Sequence, residues 1–216
     1  NISRATFGTD TIRNIQGDIY VRNGDLVLDT LTLTVPGAHA QLTAVYRSPR
    51  RNHLFAGIDF HLLDVEIEEL LGMIPDLDEM MPMLRSFSGN AEFHLAARTN
   101  LDSLYRPKIS TRRASSSIRG QNLTIQEGET FGEIAKYLKY LDRKAWNKVD
   151  SLSAEFTVFR DEIDIYPFLI SLGEWKAVVG GKHNLDMTFD YNISLVESPL
   201  PFRTSVDVKG SIGDLK

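Results

Sequence analysis

The side chains in this sequence able to do chemistry are five histidines, two carboxylate clusters, a glycine pair, a serine run and two arginine-rich stretches. The histidines are His39, His53, His61, His94 and His183. None shows the HExxH spacing that sets two imidazoles on one helix face for zinc. Each lies in strand-like or hairpin context, so they read as surface or internally satisfied side chains, and no metal is expected. Carboxylates gather at Asp64, Glu66, Glu68 and Glu69, and again at Asp76, Asp78 and Glu79. A glycosidase needs two carboxyls converging on one sugar bond. Acids crowding the start of a helix, where the dipole favours negative charge, explain these clusters better. "GGKHN" around Gly180 and Gly181 lacks the rest of a phosphate-binding loop and reads as a hairpin turn. "SSS" at Ser115–Ser117 has no GxSxG around it and is no nucleophile elbow. No catalytic residue and no cofactor is expected, and the chain reads as a non-enzyme.

The arginines leave two readings. "YRSPRRN" and "STRRASSSIR" concentrate Arg47, Arg50, Arg51, Arg112, Arg113 and Arg119. Charged loops and strand edges guard a sheet against aggregation. The second reading is contact with anionic head groups, which the bidentate guanidinium suits, with Arg50, Arg51, Arg112 and Arg113 as candidates. Trp146 and Trp175 read as core or rim packing.

The elements that must position these groups are strands. In "HNLDMTFDYNISL", Leu185, Met187, Phe189, Tyr191, Ile193 and Leu195 alternate with polar residues, the pattern of an antiparallel strand with one solvated side. "GDIYVRNGDLVLDTLTLTVPGAHAQLTAVY" alternates in the same way, and Asn23-Gly24 supplies a type I′ turn. Similar segments lie near residues 53–62, 88–97, 118–126, 152–172 and 203–212. Three stretches carry helical spacing instead. Phe131, Ile134, Leu138, Leu141 and Ala145 form one stripe, behind a Thr130/Glu133 capping box. Ile67, Leu70, Leu71 and Ile74 form a shorter one, and "DLDEMMPMLRSF" a third from an Asp76 cap.

The chain also repeats itself. Gly24 and Asp161 lie 137 residues apart, and the same offset carries Leu26, Leu28, Leu31, Leu33 and Val35 onto Ile163, Ile165, Phe168, Ile170 and Leu172. Both copies slip phase at one place, Asp29-Thr30 and Tyr166-Pro167. The following strand aligns Ile58 with Leu185, which implies ten extra residues in the first copy around "YRSPRRN". The reading is one domain over residues 1–216, with repeat units at approximately 15–87 and 118–216.

Composition narrows the function. The 216 residues are 42% hydrophobic and 25% charged, with a net charge of −5 that disfavours a nucleic-acid surface. The absence of cysteine rules out disulfides and thiolate metal sites. No run of about 18 apolar residues offers a membrane-spanning helix. The chain opens at Asn1 in mid-strand context, so it reads as a fragment of something longer.

Surface area gives the decisive argument. About a dozen strands lie ~4.8 Å apart, whereas a helix ~10 Å across roofs about two of them. More apolar strand surface is encoded than two or three helices can cover. The remainder must close on itself or meet an apolar partner.

The order of features resembles a known family. "NGDLVLDTLTLTV" is followed by "LLDVEIEELLGMIP", "SFSGNAEFHLAARTNLDSLYRP", "SIRGQNLTIQEG" and "LSAEFTVFRDEIDIYPFLIS". This succession is similar to the C-terminal region of the AsmA family, related to TamB-type and bridge-like lipid-transfer proteins. The resemblance implies a periplasm-facing protein of outer-membrane biogenesis in the Gram-negative envelope, anchored in the inner membrane and carrying lipid along a β-lined groove.

The expected fold is therefore α+β and β-dominated: a long twisted antiparallel sheet curled into a groove or half-barrel with two or three amphipathic helices. The candidate groove residues are Leu28, Leu33, Ile165, Ile170, Val179, Met187 and Phe189. The expected partner is phospholipid or a lipopolysaccharide-related lipid, with envelope proteins besides. The alternatives are an interaction module with a closed core that binds partners through edge strands, and a carbohydrate-active β-enzyme.

Overall fold

The computed structural model describes residues 1–7, 10–50, 53–73, 87–126, 148–172, 175–184, 188–197, 205–211 and 214–215. Among them, thirteen strands form a single antiparallel sheet whose spatial order is the order of the chain. They are β1 (Ile2–Phe7), β2 (Asp10–Arg22), β3 (Asp25–Val35), β4 (Ala38–Arg50), β5 (His53–Glu66), β6 (Phe87–Leu101), β7 (Arg113–Ile125), β8 (Lys148–Phe159), β9 (Glu162–Leu172), β10 (Trp175–Asn184), β11 (Thr188–Glu197), β12 (Ser205–Ser211) and β13 (Asp214–Leu215). The first and last strands do not pair with each other, so the sheet is not closed into a barrel. The β-dominated expectation holds. Of the three expected helices, one is seen: α1 (Ile67–Met73). The stretches holding the other two, and Trp146, lie outside the described residues.

Turn chemistry sets the pairing. Asn23 and Gly24 both have positive φ, 53° and 85°, as a type I′ turn requires, and β2 pairs with β3 up to Arg22↔Asp25. The two phase slips are bulges. Thr30 sits at φ 44°, and the β3–β4 register jumps between Leu28 and Leu31. In the second copy the β9–β10 register jumps between Val179 and Gly181, skipping Tyr166 and Pro167. Each bulge returns the next large apolar residue to the face of the one before it. The pairings of the two copies then coincide, since Leu33↔Ala40 corresponds to Ile170↔Ala177 and Leu28↔Ala44 to Ile165↔Gly181.

Two expectations need correction. Ile58 and Tyr191 both stand opposite the corresponding β4 and β10 positions, Ala44 and Gly181, so the third strands align at an offset of 133, with four extra residues rather than ten. "GGKHN" is not a turn either. Gly181 to His183 pair with both β9 and β11, and the glycines are required by close approach. A Cβ at Gly180 would lie 3.1 Å from the Pro167 Cα, and Gly181 has φ 150°.

Burial concentrates towards the end of the sheet that carries α1. Ile67 from α1 joins Phe87, Leu123, Val149, Leu152, Phe168, Ile170 and Val179 in one cluster. A second cluster, Ala38, Ala40, Leu62 and Val65, lies beneath the β3–β4 turn. α1 is fastened at both flanks: Glu66 N–H donates to Gly37 O at 2.9 Å, and Gly89 N–H to a Glu68 carboxylate oxygen at 3.3 Å. Glu68 and Glu69 occupy the first turn of α1, as dipole-favoured acids should.

Candidate functional site

Directly opposed residues in a sheet share a face, so the register defines two chemically different sides. One unbroken line runs Ile19–Leu28–Ala44–Ile58–Ala97–Ala114–Val158–Ile163–His183–Phe189–Gly210, across eleven strands. The neighbouring line on that face runs Leu31–Leu42–Phe60–Leu95–Ser116–Phe156–Ile165–Gly181–Tyr191–Val208. Between them, on the opposite face, lies Thr43–Asp59–Ala96–Ser115–Thr157–Asp164–Lys182–Asp190–Lys209. Lys182 bridges Glu162 at 2.7 Å and Asp164 at 3.4 Å, and Lys209 bridges Asp190 at 2.8 Å. These carboxylates hold both lysines above the usual ammonium pKa. The sheet is oily on one side and laced with charge on the other.

Coverage of the oily side is uneven. Leu28, Leu33, Ile165 and Phe189 are half-buried, while Ile170 and Val179, at 3% and 2% exposure, belong to the core. All six lie on the same face; Met187 lies outside the described residues. Ile19, Val21, Leu26 and Ile58 are exposed on that face, at 70%, 72%, 46% and 41%. The two polar intrusions into it are absorbed locally. Ser116 donates its hydroxyl to His94 O. His183 is buried beside the stacked Phe189 and Tyr191 rings, with Nδ1 3.2 Å from the Tyr191 hydroxyl. Burial pushes the Tyr191 phenol up to about 12. On the opposite, polar face an open depression of about 680 Å³ spans β3 to β8, where Gly57 and Ala96 carry little or no side chain between Val45, Arg98, Ser115 and Phe159.

The end of the sheet opposite α1 is basic. Arg47 and Arg50 close β4, Arg98 lies near the end of β6, Arg112 precedes β7 and Arg113 opens it, and Arg160 sits in the β8–β9 turn. Arg47 is paired with Asp25 at 2.7 Å. The Arg113 guanidinium stacks 3.8 Å from the Phe159 ring centroid, with Arg160 at 5.1 Å from the same ring. The β6–β7 connection runs through this end and is braced by Asp102, whose Oδ1 accepts from Leu104 N–H at 2.8 Å and Arg106 N–H at 2.9 Å. The arginine candidates thus share one rim, apart from Arg51, which lies outside the described residues.

Sequence reasoning missed one constellation. Asp59 and His61 project from β5 on the polar face, and His94 stands directly opposite His61 on β6. The His61 and His94 Nε2 atoms lie 2.9 and 3.2 Å from one Asp59 oxygen, Oδ1. Asp-x-His on one strand was the available signal, but the third member arrives through cross-strand register.

No helix among the described residues is long and apolar enough to cross a membrane. No family model, curated protein or solved structure matches the chain.

Proposed function

We propose that this protein is a non-enzymatic lipid-handling component of bacterial outer-membrane assembly. Acyl chains would lie against the apolar face while head groups meet water and the arginine rim. The observation that carries this reading is the pair of continuous apolar lines across most of the sheet, with a half-exposed band in the middle. α1 is too short to roof a sheet whose thirteen strands extend for ~58 Å. Binding a chain there needs no chemistry, only removal of methylenes from water, worth ~0.8 kcal/mol each. Arg50, Arg112 and Arg113 would then read the charge of phosphate-bearing head groups, of phospholipid or of a lipopolysaccharide-related lipid. On this proposal the protein works at the periplasmic side of the envelope, held to the inner membrane as in the AsmA proteins it resembles.

Mass spectrometry of organic extracts from the purified protein tests the idea. Stoichiometric phospholipid or lipid A is the expected result; a protein free of lipid, and unable to take up a fluorescent phospholipid from vesicles, would refute it. A second reading has its own observation. Each outer strand of the sheet leaves one edge unpaired among the described residues, and Ile2 on β1 is 56% exposed. Such an edge can accept another protein's strand. Partner capture that persists in lipid-free protein would favour this interaction role.

A further inference from the structure

The geometry points to a binding site for a zinc-class divalent cation at Asp59, His61 and His94. This site lies on the polar face and is independent of the lipid reading. Its three members meet the first requirement, donor type: two imidazole nitrogens and one carboxylate oxygen form a mixed set that suits zinc and its first-row neighbours rather than calcium or magnesium. They meet the second as well, which is spacing. Donors ~2.0–2.1 Å from a tetrahedral zinc are themselves about 3.3 Å apart. Here the two nitrogens lie 2.9 and 3.2 Å from the same Asp59 oxygen. All three donor atoms fall within 4.8 Å of one another.

The third requirement is rigidity. β5 and β6 are interior strands, each paired on both sides, and His61↔His94 is a direct cross-strand pair. The imidazoles stack with centroids 4.1 Å apart and planes 18° from parallel. The stacked rings do not yet aim at one point; binding turns them out of the stack about their soft sp³–sp² torsions, so that both in-plane lone pairs meet at the ion. Asp59 reaches the same point from two residues away on the same face. One divalent ion bound there would satisfy all three donors at once. The side chains are 43%, 36% and 48% exposed for His61, His94 and Asp59, so the ion can enter from solvent. The fourth coordination position stays open to water or to a donor from outside.

The test uses the untagged, chelator-treated chain titrated with zinc chloride by calorimetry, and with cobalt(II) by visible absorption. One equivalent bound at micromolar zinc is expected, with a cobalt spectrum of nitrogen–oxygen coordination. His61→Gln and His94→Gln should each weaken binding by an order of magnitude or more, and Asp59→Asn severalfold. His39→Gln and His53→Gln should leave it unchanged. Far-UV circular dichroism checks that each variant is folded. Wild-type protein needs no variant in a second measurement: paramagnetic cobalt should shift the ring resonances of two histidines, not five. Absence of binding at submillimolar zinc would overturn the site. Undiminished binding in a folded His61→Gln/His94→Gln double variant, or equal shifts of all five histidines, would overturn it too.

Discussion

At the residue scale, side chains divide into those whose partners lie close in sequence and those whose partners come from another strand. Asp102 is a compact case. Its carboxylate is held below the usual range chiefly by the Arg106 backbone N–H, with Leu104 adding to it against the desolvation of the group. A depressed carboxylate pKa contributes stability that is present above its unfolded value and lost as pH falls through its folded one. Asp102→Ala should therefore speed amide exchange across residues 102–112 at neutral pH while leaving the interior of β6 protected. In acid the variant and the parent should become alike. Asp102 sits beside its partners in sequence and could be read there as a turn former. Asp59, His61 and His94 could not. The alternation of β5 puts the first two on one face, but only the β5–β6 register supplies the third.

At the element scale, alternation located most strands, because a half-solvated antiparallel strand writes its pleat directly into residue order. The two bulges were legible too, since a phase slip shared by two copies requires a structural reason. "GGKHN" misled because glycine signals both a turn and a close backbone approach. Sequence does not say which until the opposing strand is known. Two substitutions separate those causes. Gly24 at φ 85° has open space where a Cβ would stand, so Gly24→Ala should cost only the left-handed backbone penalty, about 1–2 kcal/mol. At Gly181 a Cβ would collide with the Asp190 carbonyl oxygen in addition to the φ of 150°. Gly181→Ala should therefore cost clearly more in urea unfolding, and it should disturb the β10–β11 pairing.

At the scale of the whole molecule, the asymmetry between the two faces is the property to test. Ile58→Asp places a charge in the half-exposed middle of the apolar face, whereas Thr43→Asp places one on the polar face, directly opposite Asp59. The first should lower uptake of fluorescent phospholipid severalfold, and the second should leave it near the parent level. Equal effects would mean that the face does not select the ligand. The excess of apolar strand surface was legible from the sequence by counting. The division of that surface into a sealed part, with Ile170 and Val179, and an open part, with Leu28 and Ile58, was not, because it depends on what is stacked over each residue.

The strict order of the strands, each bonded to the one before and the one after it in the chain, has a mechanical consequence. Tension applied through handles on β1 and β12 would load the hydrogen bonds of each outer strand one after another instead of shearing many together. Such a sheet should peel hairpin by hairpin, giving a low, stepped force trace in an optical trap. A single high rupture would mean that side-chain packing, rather than the backbone ladder, carries the strain.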